Sequence, residues 1–251
     1  MNPRFIFETF LKLLPYLTVT LEYVSLSLLF GTLLGFLAAA AKLGRNRPLR
    51  WLANAYTTIL RCTPSVVLLF LVFFILPAVM RNYLRINVDA WPALFFVVVT
   101  FTLFLGASQS EVMRGAYLAV DRGQFEAGVS VGMTEWQSFR RVVLPQAFFF
   151  ALPNLTNTVI YLFKEGSLAF TIGVVDIMGK AYLVNATNFG LKALDVYLAL
   201  ALIYWPLSVF FEWLGRLLER RFGYTQVKPE AGKTAESVRG RGRSSIRGVR
   251  A

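Results

Sequence analysis

The chain has 251 residues, 56% hydrophobic and 15% aromatic, and only 16% are Asp, Glu, Lys or Arg, against about 25% charged residues in a typical soluble domain. It carries 26 Lys and Arg against 14 Asp and Glu, a formal charge of +12, with one cysteine (Cys62) and no histidine. That balance excludes a cytosolic enzyme and a disordered chain, and the missing residue types exclude disulfides, Cys/His zinc sites and histidine acid–base or proton-relay chemistry.

Residues 1–14 lack the basic start, short apolar core and small-residue cleavage site of a signal peptide. They are expected to form an outside N-terminal segment, followed by a transmembrane domain over 15–222. Uncharged runs long enough to span a bilayer are Tyr23 to Ala41, Cys62 to Met80, Ala90 to Ser110 and Val142 to Phe163. A fifth, Val196 to Phe211, reaches spanning length with Leu194 or Gly215 included. About 20 helical residues cross a hydrocarbon core about 30 Å thick. Period-two alternation is missing, so a barrel is not expected. The fold class is all-α integral membrane protein with about five transmembrane helices.

With the N-terminus outside, 19 of the 26 Lys and Arg fall on inside segments. The positive-inside rule therefore sets N-out, C-in. Tyr16, Trp51, Trp91, Tyr161 and Trp213 lie near the expected interfaces, as an aromatic belt requires. Gly31 and Gly35 make a small-xxx-small step that admits a close helix neighbour, within the chain or across a dimer.

Between the third and fourth spans, the inside segment Glu111 to Arg141 is too long and too patterned for a simple connection. Asp121 with Gln124, and Thr134 with Gln137, have the spacing of capping boxes. Gly132 between them suits the left-handed position past a helix C-terminus. The spacing predicts two short helices meeting at Gly132, a rigid elbow over about 121–144. Asp121, Glu126 and Glu135 argue against its lying on anionic lipid headgroups.

The elbow resembles the EAA loop of ABC-importer permeases: Glu-Ala-Ala, three residues, Gly, nine residues, Ile-x-Leu-Pro. This chain has Glu126-Ala127-Gly128, then Gly132, then Val142-x-Leu144-Pro145 at that spacing, with Gly128 for the second Ala and Val142 for Ile. The resemblance covers about 200 residues and narrows to polar amino acid permeases of bacterial importers. It is carried further by Arg61-Cys62-Thr63-Pro64, with Cys62 for Gly, by Glu111-Val112-Met113-Arg114-Gly115, and by Leu144-Pro145-Gln146-Ala147. Leu68 stands where that family often has Gln.

The resemblance implies a type I ABC importer fold in the bacterial cytoplasmic (inner) membrane. Its elbow would be a coupling helix seated in a cytoplasmic ATPase subunit. Glu126, Ala127, Gly128, Gly132, Leu144 and Pro145 would be the coupling residues, Gly132 as the bend and Glu126 as an interface contact or a local brace. Partners implied are two ABC ATPase subunits, a second permease chain forming a homo- or heterodimer, an extracytoplasmic solute-binding protein and the lipid bilayer. ATP and Mg would be held by the ATPase subunits, leaving no cofactor and no catalysis in this chain. Gly232-Lys233-Thr234 does not make a phosphate loop, because residue 227 is Val where the pattern needs Gly.

A zwitterionic amino acid needs an acceptor for its ammonium and a donor or cation for its carboxylate. Substrate-path candidates are Glu22 in the first span, unless it snorkels to the outer surface, and Asn154, Thr156, Asn157 and Thr158 beside Pro153, unless they serve inter-helix hydrogen bonds. Lys164, Glu165 and Asp176, at the outer end, are candidates for docking the binding protein. The run Lys164 to Gly173 looks most like permeases for cystine and related sulfur amino acids. The competing class is an ATP-independent secondary transporter or channel for a small polar solute, although its expected internal repeats and chains of ionisable residues are missing. The tail, 223–251, is basic and Gly/Ser-rich, expected to be disordered and drawn to anionic lipid, not nucleic acid.

Overall fold

The computed structural model describes residues 1–88 and 90–222. The basic tail and its Gly232-Lys233-Thr234 lie outside them. The described residues form α-helices joined by short turns: α1 (Pro3–Leu13), α2 (Leu17–Leu43), α3 (Arg47–Cys62), α4 (Ser65–Val79), α5 (Ala93–Ala119), α6 (Arg122–Ser130), α7 (Glu135–Ser138), α8 (Leu144–Glu165), α9 (Ile177–Thr187) and α10 (Ala193–Phe222).

Four helical stretches are long and apolar enough to cross a membrane: Pro3–Leu43, Ser65–Leu84, Ala93–Ala119 and Ala193–Arg221. The fifth crossing is a broken one, Glu135–Ile172 followed by Ile177–Thr187 at 51°. The five spans expected from charge-free runs are thus present by length and composition, and most are longer than those runs. The third continues nine residues past Ser110 to Ala119, because Glu111 and Arg114 pair with each other and do not stop the helix.

Two segments hold helices that the sequence reading did not specify. The inside stretch between the first two spans is the 16-residue helix α3, capped by Asn46 on the Leu49 amide at 3.4 Å. Its Arg residues read as a loop, but Ala53 and Thr57 are buried where α3 packs on α2 and α5. The expected outside segment is helix α1, which lies against α9 and α10 with Thr9 and Leu13 buried. The backbone amide of Asn2 donates to Asp195 at the start of α10, and Lys192 sits 4.0 Å over the Phe5 ring.

The centre of the bundle is the pair α2 and α5. Ser27 reaches the Val98 carbonyl, Gly31 faces Leu105 and Gly35 faces Gln109. Residue numbers rise together along both helices, so they run parallel, as first and third spans must. Lipid is as apolar as leucine and does not press helices together, so close approach depends on small residues. A Cβ on Gly31 would stand 2.7 Å from Leu105 Cβ, and one on Gly35 3.0 Å from Gln109 Cβ. Gly106 answers from α5, where a Cβ would meet Leu34 at 2.9 Å and the Tyr56 hydroxyl at 2.7 Å. The Gly31/Gly35 step therefore serves packing within the chain. Around this seam Tyr23, Leu69, Phe101, Leu105 and Phe163 form the buried core.

Gly31→Leu is expected to destabilise the detergent-purified protein by about 1–3 kcal/mol or more, the usual cost of overpacking, read as a lower Tm. A Tm equal to the unmodified chain's would contradict this seam.

Candidate functional site

Two sites emerge, one at the elbow and one along α8. In the elbow, Gly132 has φ +88°. Its amide donates to the Val129 carbonyl at 3.0 Å and the Met133 amide to the Gly128 carbonyl at 3.2 Å. This left-handed turn satisfies the last carbonyls of α6 and sends the chain into α7. Thr134 and Gln137 form the expected capping box, with the Gln137 amide donating to Thr134 Oγ1 at 3.2 Å and the Thr134 amide to Gln137 Oε1 at 3.0 Å. The box expected at Asp121 does not form. Asp121 accepts from the Gly123 amide at 2.6 Å, and the Gln124 side chain is taken by Gln146 of α8 at 3.3 Å.

Gly128 explains its own departure from the usual Ala. A Cβ there would collide with Ser138, whose hydroxyl is wedged under α6 and donates to the Phe125 carbonyl at 2.8 Å. The two arms of the elbow touch through this contact. Val120, Val143 and Ala147, with Phe125 and Phe139, make a small apolar core that fixes the elbow to α5 and α8. Glu126 and Ala127 are exposed, and among the described residues the Glu126 carboxylate has no hydrogen bond or ion pair. A brace role within the chain is therefore not seen. Val131, Trp136 and Leu144 of the elbow expose apolar surface, and Pro145 is also exposed. The elbow thus exposes both an unpaired carboxylate and apolar side chains.

The second site runs along one side of α8. Asn154, Asn157, Tyr161 and Lys164, at helical spacing, are all exposed. Asn154 and Asn157 leave their side-chain amides free of hydrogen bonds among the described residues. The other two polar candidates are engaged internally. Thr156 Oγ1 donates to the Leu152 carbonyl at 3.1 Å and packs where a Cβ on Gly215 would collide with it. Thr158 Oγ1 donates to the Asn154 carbonyl at 2.8 Å. Glu22 is exposed on α2, and no hydrogen bond joins it to this stripe.

Two of the three residues expected at the outer end are engaged within the chain. Glu165 accepts a hydrogen bond from Ser65, the first residue of α4. Tyr161, one helical turn before Glu165, is exposed and stacks on Phe104 of α5 with ring centroids 5.9 Å apart. Lys164 edges a cavity of about 420 Å³ with Ser167, Met178, Tyr204, Trp205 and Ser208. Asp176 is 0% exposed and presents no surface to a soluble partner. It caps α9, accepting from the Gly179 amide at 2.8 Å and the Tyr23 hydroxyl at 3.2 Å. Its burial follows from Gly166, where a Cβ would stand 2.5 Å from the Tyr23 ring: that gap seats Tyr23 under the turn leading to Asp176.

Sequence reasoning missed a buried cluster at the inner end of the bundle. Lys42 Nζ lies 2.7 Å from Thr57 Oγ1, 3.2 Å from Ser110 Oγ and 2.5 Å from Glu111 Oε1, and Arg114 holds the other Glu111 oxygen at 2.9 Å. Removing one partner from a buried pair typically costs about 3–5 kcal/mol. The available signal was that Lys42 and Glu111 each end a charge-free run on spans of the same direction. No group of three or more His, Cys, Asp or Glu suited to a metal ion occurs among the described residues.

The model of the family "Binding-protein-dependent transport system inner membrane component" matches residues 31–224. The L-cystine transport system permease protein TcyL of Bacillus subtilis (strain 168) is 39% identical over 214 residues, covering 85% of this chain and 88% of its own. TcyB, an L-cystine transport system permease protein of the same organism, is 37% identical over 202 residues, covering 80% and 82%. The crystal structure of an amino acid ABC transporter with histidines superposes with TM-score 0.73 at 30% identity, covering 83% of this chain and 93% of that one. The chain belongs to the binding-protein-dependent transport system inner membrane components, as a non-catalytic permease subunit of an ABC importer that works with ATPase and substrate-binding partners.

Proposed function

We propose that this permease carries a polar amino acid, with cystine or a related sulfur amino acid as its substrate, across the inner membrane by alternating access. The single observation that supports most of this reading is the α8 stripe. It presents the exposed amides of Asn154 and Asn157 and a cation, Lys164, next to the Glu165 carboxylate held by Ser65. Adjacent positive and negative groups suit a zwitterion, whose carboxylate and ammonium each need a partner on leaving water. Cystine comes from the similarity to TcyL and TcyB and from the run Lys164 to Gly173.

The stripe is open on one chain, so a second permease chain closes the pathway over it. Two ATPase subunits bind ATP and Mg and receive the elbows, Glu126 and the exposed apolar residues of the elbow forming the contact. An extracytoplasmic binding protein delivers the substrate. ATP-driven closure of the ATPases moves each elbow as a rigid body. The outward and inward states are selected because the ATPase pair binds them unequally. No observation favours an ATP-independent channel over this.

Uptake of radiolabelled cystine into proteoliposomes holding the complex is expected to require ATP on the cytoplasmic side and binding protein on the other. Glu165→Gln is expected to cut uptake at least tenfold while the complex stays intact. Gly132→Trp, whose left-handed φ disfavours any side chain, is expected to abolish uptake with membrane insertion unchanged. Uptake without ATP would overturn the importer reading; normal uptake in Gly132→Trp would overturn the role given to the elbow.

A further inference from the structure

Lys42 is a buried charged residue that neither the elbow nor the α8 stripe uses. Helix α5 runs into the elbow with only Val120 and Asp121 between Ala119 and Arg122. Helix α3 runs through Thr63 and Pro64 into α4, whose first residue, Ser65, holds Glu165. What joins α5 to α3 is Lys42 of α2. Its side chain is 1% exposed, and its acceptors come from both helices: Thr57 on α3, Ser110 and Glu111 on α5. An ammonium has three donors, and all three are used. A second tie, the Tyr56 hydroxyl on the Leu103 carbonyl at 2.7 Å, joins the same two helices higher up.

A buried ion pair is poor evidence for stability, because apolar residues of similar volume often serve as well. Its distinctive property is intolerance of slippage: sliding α5 without α3 would leave a buried charge without its partner. We propose that Lys42 is a positioning residue that makes α2, α3 and α5 move as one body, so that displacement of the elbow reaches Ser65 and resets the Glu165 carboxylate. This rests on the importer reading above. Lys42 touches neither the substrate stripe nor the elbow, and its role is transmission.

Cys62 supplies the test. It is the only cysteine in the chain, exposed, and ends α3. In the complex purified through a tag on this chain, its alkylation by a water-soluble maleimide would be followed by mass. Rates would be compared without nucleotide and after trapping with ATP and vanadate. The unmodified complex is expected to show at least a threefold difference between the two states. Lys42→Met is expected to bring the ratio close to one while ATP hydrolysis continues, a dissociation that a mere packing role would not produce. Should Lys42→Met fail to assemble, Thr57→Val, which removes only the α3 acceptor, is read the same way. A wild-type ratio in the assembled variant overturns the proposal, as does an unmodified complex that hydrolyses ATP with equal Cys62 rates in both states. A complex with no ATPase activity would instead remove the importer reading, and this proposal with it.

Discussion

The fold depends on one close contact, the parallel seam of α2 and α5. In a bilayer, helix association gains little from hydrophobic burial and depends on van der Waals contact and hydrogen bonds. Gly31, Gly35 and Gly106 let the two backbones approach until Leu105, Gln109 and Leu34 fill the space that Cβ atoms would take. The other spans pack round that seam: α3 and α4 along α5, and α8 against α5 and α10. Lys42 closes its inner end, and Tyr23, stacked towards Phe101 and bonded to Asp176, closes its outer part.

Because α5 continues into the elbow, the seam also sets where the elbow sits. The elbow is stiff for local reasons: a left-handed Gly132, a capping box at Thr134, and Ser138 fitted under Gly128. The proposed coupling needs that stiffness, because a flexible connection would absorb the displacement. The surface it offers to the cytoplasm combines the unpaired carboxylate of Glu126 with Val131, Trp136 and Leu144. At the other end of α8, the polar side chains face away from the core, where a single chain has nothing to cover them. Both features describe a subunit built to work in an assembly, as its family membership requires.

Much of this was readable from the sequence, and the failures have a common cause. Spans were found because charge is expensive in lipid and its absence marks a crossing. The elbow was found because caps and the glycine bend act over a few residues. Helix α3 was missed because Arg47, Arg50 and Arg61 read as loop charges, although α3 buries its small face on α2 and α5. Asp121 failed to form a box because Gln124 is claimed by Gln146, 22 residues away. Lys42 and Glu111, 69 residues apart, and Tyr23 and Asp176, 153 apart, are pairs that no local pattern announces. Glu165 and Ser65, 100 residues apart, are a further pair of this kind.

The central claim is that the elbow is a seat for an ATPase, and the most direct measurement is the composition of the complex this chain forms in its native membrane. Extraction in mild detergent through a tag on this chain, followed by native mass measurement, is predicted to give two ATPase subunits with two permease chains, and to lose the ATPases when Glu126 is changed to Lys. Recovery of this chain alone, at an expression level where partners are in excess, would contradict it.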